Sequence, residues 1–134
     1  MRLTMKKKVS LVVVQDVVGR ILLLKRGHTA KWKPNQWALP GGHVNFFESH
    51  KKGALRELLE ETNITAQDIT PIEKKGKMVI WLVSSWKGKV DLQKASHGFE
   101  HSAYKWMYPE QIISYPGVVS ELRSWSPLMY LENF

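Results

Sequence analysis

The chain has 134 residues, with 20 Lys and Arg against 12 Asp and Glu, a formal net charge of +8, and no cysteine. Disulfides are therefore excluded, no apolar run reaches the roughly 18 residues of a membrane span, and a single domain over residues 1–134 is expected, in a setting compatible with the cytoplasm. The basic surplus favours anionic partners, nucleotide polyphosphates and RNA among them, but it serves solubility equally well.

The apolar, β-branched run Val9 to Gln15 reads as a buried strand. It is too short for a signal peptide, and no small-residue cleavage site follows it. Asp16 to Gly19 supplies a turn and Ile21 to Lys25 a second strand, so the two strands are expected to form a hairpin. His28 to Gln36 reads as a loop, and Trp37 to Leu39 as a short strand stopped by Pro40-Gly41-Gly42. Ser49 is the expected N-cap of a helix from His50 to Thr62. Gly53 inside that helix costs about 1 kcal/mol relative to Ala, which implies the close approach of another backbone segment. Asn63 to Pro71 reads as a connection, Lys77 to Trp86 as a strand, and Gln93 to Glu100 as an irregular loop. Ala103 to Tyr108 reads as a strand, Pro109 to Ile113 as a short helix, and Val118 to Trp125 as apolar at helical spacing. This order argues for a layered α/β or α+β domain with a mixed sheet.

The chemistry concentrates between Gly42 and Ile64, in GHVNFFESHKKGALRELLEETNI. Glu57, Glu60 and Glu61 are three and four residues apart and project on one side of the helix. Leu55, Leu58 and Leu59 are expected to cover much of the opposite side, with Ala54 at the margin. Gathered carboxylates repel one another, and hard oxygen ligands of this kind suit Mg²⁺ or Mn²⁺. On an ordinary helix the same pattern is a solvated acidic face.

The segment resembles the Nudix box, G-x5-E-x7-R-E-U-x-E-E-x-G-U, where U is a bulky aliphatic residue. Gly42, Glu48, Arg56-Glu57-Leu58, Glu60-Glu61 and Ile64 occupy its fixed positions, and Trp37 to Gly42 resembles the usual W-x-L-P-G-G approach. Asn63 replaces the last Gly, and Asn is the next most tolerant residue for a left-handed cap. Asn45 and Phe47 replace the common Glu and Gly before Glu48.

The resemblance covers residues 8 to 115 and implies a Nudix-type α/β/α sandwich with a mixed β-sheet. It implies an Mg²⁺-dependent pyrophosphohydrolase acting on a nucleoside diphosphate linked to another moiety. The implied metal ligands are Glu57, Glu60, Glu61 and the carbonyl of Gly41, with Arg56 orienting a box carboxylate. Glu48 would support the loop or the ligands from behind, or serve as a helix-start acid favoured by the dipole. Many relatives add a Glu from a later loop, and Glu100 is the candidate here. The general base stays open between Glu57 and Glu100. Relatives often place a phosphate-binding Arg at the end of the second strand, where this chain has Arg26; the alternative is a solvated strand end.

Trp32, Phe46 and Phe47 lie in loops near the expected mouth and offer faces for nucleobase stacking. Trp37 and Trp106 belong to the core or the rim. His43, His97 and His101 show no zinc spacing and read as loop residues. Trp125 and Tyr130 in the tail are candidates for a homodimer contact. A chain little larger than the core fold puts a MutT-like nucleoside triphosphate hydrolase first. Beside it stand hydrolases of NDP-sugars or dinucleoside polyphosphates and an RNA 5′-end pyrophosphohydrolase or RNA-binding protein. Dinucleoside polyphosphate hydrolases often carry a Tyr where this chain has Trp81.

Overall fold

The computed structural model describes residues 7–125 and 127, so Tyr130 lies outside the described residues. Strand β1 (Val9–Val14) is apolar along most of its length because it runs through the middle of a sheet. It pairs antiparallel with β4 (Gly41–His43) on one side and parallel with β6 (Met78–Val83) on the other. β5 (Thr70–Lys75) closes this mixed sheet antiparallel to β6, giving the order β4-β1-β6-β5. A second, antiparallel sheet has β2 (Ile21–Arg26) between β3 (Trp37–Ala38) and β7 (His101–Met107).

The expected hairpin of the first two strands does not form. The Asp16 carboxylate accepts from the N–H groups of Val18 and Arg20 at 3.1 and 2.8 Å and from Arg20 Nε at 2.7 Å. That turn carries the chain from one sheet to the other and leaves a single bridge, Gln15 to Ile21. Pairing with β4 and with β6 takes both edges of β1, so none is left for a hairpin partner.

Helices cover both faces. Val12, Val14, Leu22, Leu24, Trp81 and Val83 pack with Leu58 and Ala54 of α1 (His50–Thr62). Val13, Ile21, Leu23, Ile80 and Leu82 pack with Ile112 of α2 (Pro109–Ser114) and Leu122 of α3 (Ser120–Arg123). Side chains as buried as Leu58 and Leu23 contribute roughly 1.5–3 kcal/mol each. The result is a mixed α/β fold with helices on both sides.

α1 has the bounds the sequence predicts. Ser49 Oγ accepts from the Lys52 N–H at 3.1 Å. Asn63 ends the helix with φ 70°, its N–H bonded to the Leu59 carbonyl at 2.9 Å. The faces differ from expectation: Leu59 is 43% exposed, and the buried stripe is Gly53, Ala54, Leu58, Glu61 and Thr62. Gly53 makes room for a side chain rather than a backbone, since a Cβ there would sit 2.9 Å from Val44 Cγ2.

Two strands escape the sequence reading. Gly41 has φ 129°, and a Cβ there would fall 2.2 Å from the Ser10 carbonyl oxygen. Glycine thus lets β4 run against β1 where Pro40-Gly41-Gly42 suggested a stop. β5 is a largely exposed edge strand with Pro71 and three charged residues, the composition an edge tolerates. The helix expected over Val118 to Trp125 is the single turn of α3. Trp125 donates its indole N–H to the Glu73 carboxylate, an intramolecular tie to β5.

Candidate active site

β4 and α1 frame an acidic site. The Gly41 N–H donates to Glu61 Oε1 at 2.9 Å, and Glu61 is only 5% exposed. At Gly42 a Cβ would lie 3.4 Å from Glu57 Oε1. The two glycines therefore let the strand pass directly beneath Glu57 and Glu61, which stand one helical turn apart.

Arg56 organises the other half. Its Nε and Nη2 fork the Glu48 carboxylate at 2.8 and 3.0 Å, and Nη2 also reaches the His43 carbonyl at 3.2 Å. Nη1 bonds Glu60 Oε1 at 2.7 Å and Glu57 Oε1 at 3.3 Å. Glu48 also accepts from the Asn45 N–H at 3.1 Å, so it fixes the turn before the helix as well as the guanidinium.

The charges are unevenly balanced. The hydrogen bonds from Arg56 hold the Glu48 carboxyl below its usual range, and those to Glu48 raise the Arg56 guanidinium further. Burial pushes Glu57 up, with Arg56 opposing and Glu60 adding repulsion. Burial pushes Glu61 well up, opposed by the Gly41 hydrogen bond and reinforced by the charges of Glu57 and Glu100.

Glu100 arrives from the opposite side, on a 3₁₀ turn (Gly98–Glu100) that leads into β7. Its carbonyl accepts from the Gly27 N–H at 3.0 Å, and the His97 N–H donates to the Glu60 carbonyl at 2.7 Å. His97 Nδ1 stands 3.6 Å from Glu60 Oε2 and 3.8 Å from Glu100 Oε1. Arg26, at the end of β2, offsets part of the Glu61 charge. Its Nε donates to the Trp32 carbonyl, and its guanidinium lies 5.1 Å from the centre of the Trp32 ring. Burial, with the Arg26 charge, pushes the His101 imidazole down to about 4.

The structure thus brings together Gly41, Glu48, Arg56, Glu57, Glu60 and Glu61, with Glu100 and Arg26 within electrostatic reach. Trp32 joins through Arg26. Phe46 and Phe47 stand apart, 78% and 97% exposed, packed edge-to-face on each other at 4.8 Å. Two contributors have a place at the site that the sequence did not reveal. His97, read as a loop residue, lies between Glu60 and Glu100, and its only signal is its place three residues before Glu100. Lys8 ties β1 to the box by donating to the carbonyls of Phe46 and Glu48, a contact across 40 residues that no local pattern reveals.

The donor chemistry fits a hard divalent cation: carboxylate oxygens and a backbone carbonyl, with more negative charge than Arg56 balances. Among the described residues, no three acidic or His side chains are already closed on one point. Arg56 engages Glu60 and one oxygen of Glu57.

Fold and site define a hydrolase of the Nudix class. The family model of the NUDIX domain matches residues 5–129, and the chain belongs to that family. It is 33% identical to the bis(5′-nucleosyl)-tetraphosphatase [asymmetrical] of Caenorhabditis elegans, over 92% of this chain and 96% of that one. Over 59 residues it is 39% identical to the m7GpppN-mRNA hydrolase NUDT17 of Xenopus laevis; the match covers 44% of this chain and only 20% of that protein's length. Among solved structures, the MutT protein from Methanosarcina mazei Go1 superposes with a TM-score of 0.73 at 27% identity, over 97% of both chains.

Proposed function

We propose that this Nudix hydrolase is a divalent-cation-dependent pyrophosphohydrolase of dinucleoside polyphosphates, with bis(5′-nucleosyl) tetraphosphates the first candidates. The observation that carries the substrate is the end-to-end match to the worm tetraphosphatase, which extends well beyond the box. Chain size alone favoured a nucleoside triphosphate, but size says nothing about the leaving group. The MutT structure, similar over nearly all of both chains, supports triphosphates as the second reading.

Glu57, Glu60, Glu61 and Glu100, with the Gly41 carbonyl, would hold Mg²⁺ or Mn²⁺. The ion supplies charge neutralisation of the phosphates and a more acidic bound water. The chain's own residues do the rest. Arg56 and Glu48 fix the helix start and the carboxylates it presents. Arg26, backed by Trp32, offers a planar donor fork for a phosphate. Glu57 and Glu100 are the two candidate bases; burial pushes the Glu57 carboxyl up. Phe46 and Phe47 are free to stack a base outside the acid network. A cytoplasmic setting goes with this reading; among the described residues no helix is long and apolar enough to cross a membrane.

The test is product release from bis(5′-adenosyl) tetraphosphate, (d)NTPs, NDP-sugars, 5′-triphosphate RNA and capped RNA, with and without Mg²⁺. The expected result is metal-dependent, unequal cleavage of the tetraphosphate ahead of the others. Preference for (d)NTPs moves the assignment to the second reading. Cleavage of RNA ends, with affinity falling steeply with salt, would put the basic charge to use on nucleic acid.

A further inference from the structure

The loop that follows β6 runs beside β7 and leaves two recesses against that strand. The first, about 720 Å³, is lined by loop residues 92–96 and by Gly98, Phe99, His101 and Ser102. The second, about 300 Å³, is lined by Trp86, Gly88, Lys89, Val90, Tyr104 and Trp106. Both have the same loop as one wall and the same strand as the other, so they follow one another along β7 and away from Glu100. At about 3.3 Å per strand residue, Tyr104 lies about 13 Å beyond Glu100, a distance that a chain of several phosphates spans.

The trough has a chemical gradient. Carboxylates stand at its head. Lys94 lines the first recess and Lys89 the second; both are exposed, and neither pairs with an acid among the described residues. The second recess is aromatic. Trp86 and Trp106 stack with ring centres 5.6 Å apart and planes 16° apart, and both are partly buried against the α1 side of the core, which makes a fixed wall. Tyr104 beside them is 44% exposed, with no ring or hydroxyl partner among the described residues. An unpartnered aromatic beside a fixed aromatic wall and an unpaired cation suits a nucleobase carried on a phosphate chain.

We propose that this trough seats the distal half of the substrate, with the polyphosphate passing Phe99 and Lys94 and the second nucleobase lying against Tyr104. The assignment rests on the dinucleoside polyphosphate reading above. In this arrangement the first nucleoside is held on the other side of the acids, so a mononucleoside polyphosphate bound there ends short of Tyr104, and Tyr104 is a specificity-determining residue for two-ended substrates.

Calorimetric titration of the protein loaded with Ca²⁺, under conditions where no product is released, with bis(5′-adenosyl) tetraphosphate and with adenosine 5′-tetraphosphate tests this in wild type, Tyr104→Ala and Tyr104→Phe. Wild type should bind the two-ended probe about tenfold more tightly. Tyr104→Ala should erase that preference while leaving the one-ended probe unchanged, and Tyr104→Phe should keep it. Equal affinities in wild type, binding of neither probe, or equal weakening of both by Tyr104→Ala overturns the assignment. Hydrolysis separates the two ideas. Tyr104-dependent preference without product release sinks the proposed activity and leaves the trough; product release with no Tyr104 dependence does the reverse.

Discussion

The two halves of the acidic site draw their acids from α1 and the turn just before it, yet they balance their charge in opposite ways. In the Glu48–Arg56–Glu60 half, a guanidinium with 29% side-chain exposure meets both oxygens of one carboxylate and one oxygen of the other. Its Glu48 carboxyl is held low. In the Glu57–Glu61 half the carboxylates are buried or nearly so, share one distant contact to Arg56 and one backbone N–H, and are held high. The first half is a self-neutralised brace. The second carries surplus negative charge, which costs stability until a cation arrives. Local destabilisation of this kind is expected where a ligand completes the site.

Charge removal from the second half should give the largest effect. Glu61→Gln keeps an acceptor for the Gly41 N–H and removes one negative charge. It should lower turnover at least about tenfold and raise the Tm of the metal-free protein by a few degrees at pH 8. Glu60→Gln should also reduce turnover, by about tenfold, but without raising Tm, because Glu60 already has Arg56. A Glu61→Gln protein that is fully active, or less stable than wild type without metal, would erase the distinction between the halves.

Breaking the brace comes next. Arg56→Ala strips Glu48, Glu57 and Glu60 of their counter-charge and should cost about 2–3 kcal/mol, less than for a fully buried pair because the guanidinium is part-exposed. Urea unfolding measures it; a loss under about 0.5 kcal/mol would mean that the network is ornamental.

The pH dependences should have opposite signs. Glu61 is raised in the folded protein, so its favourable contribution is complete below the ordinary carboxylate value of 4.5 and is lost as pH rises through the folded value. Glu48 is lowered, so its contribution is present above 4.5 and is lost as pH falls through the folded value. Against wild type, Glu61→Gln should therefore gain stability towards high pH, and Glu48→Gln should lose most there. Parallel Tm-against-pH curves for the two variants would contradict this.

Much of this was legible in the chain. Ser49 and Asn63 mark the ends of α1 because capping is local chemistry, and the spacing from Gly42 to Ile64 marks the acids. Which acid is buried was not legible. That depends on β4 passing under the helix, and β4 exists only because Gly41 tolerates contact with Ser10 of β1, 31 positions away. The false hairpin has the same origin: two apolar runs joined by a turn look alike whether they pair together or enter different sheets. β5 was hidden because its hydrogen bonds, not its side chains, make it a strand. His97, Lys8 and Tyr104 carried no motif; the loop after β6 places His97, the pairing of β1 with β4 places Lys8, and the register of β7 places Tyr104.

The smallest effect belongs to the exposed part of the box. Phe47→Ser should change stability by less than about 0.5 kcal/mol, since the ring is 97% exposed and its one ring contact among the described residues is Phe46. A rise in KM without a fall in Tm would assign the pair to substrate stacking, and no change in either would leave it outside the site.

The most direct test of the account is thermal unfolding of wild type and Glu61→Gln at pH 8 with increasing Mg²⁺ or Mn²⁺. The surplus-charge half predicts that the ion raises the wild-type Tm in a saturable way and moves the variant much less, so that the stability order of the two proteins reverses as metal is added. Equal shifts in both proteins, or none in wild type, would contradict it.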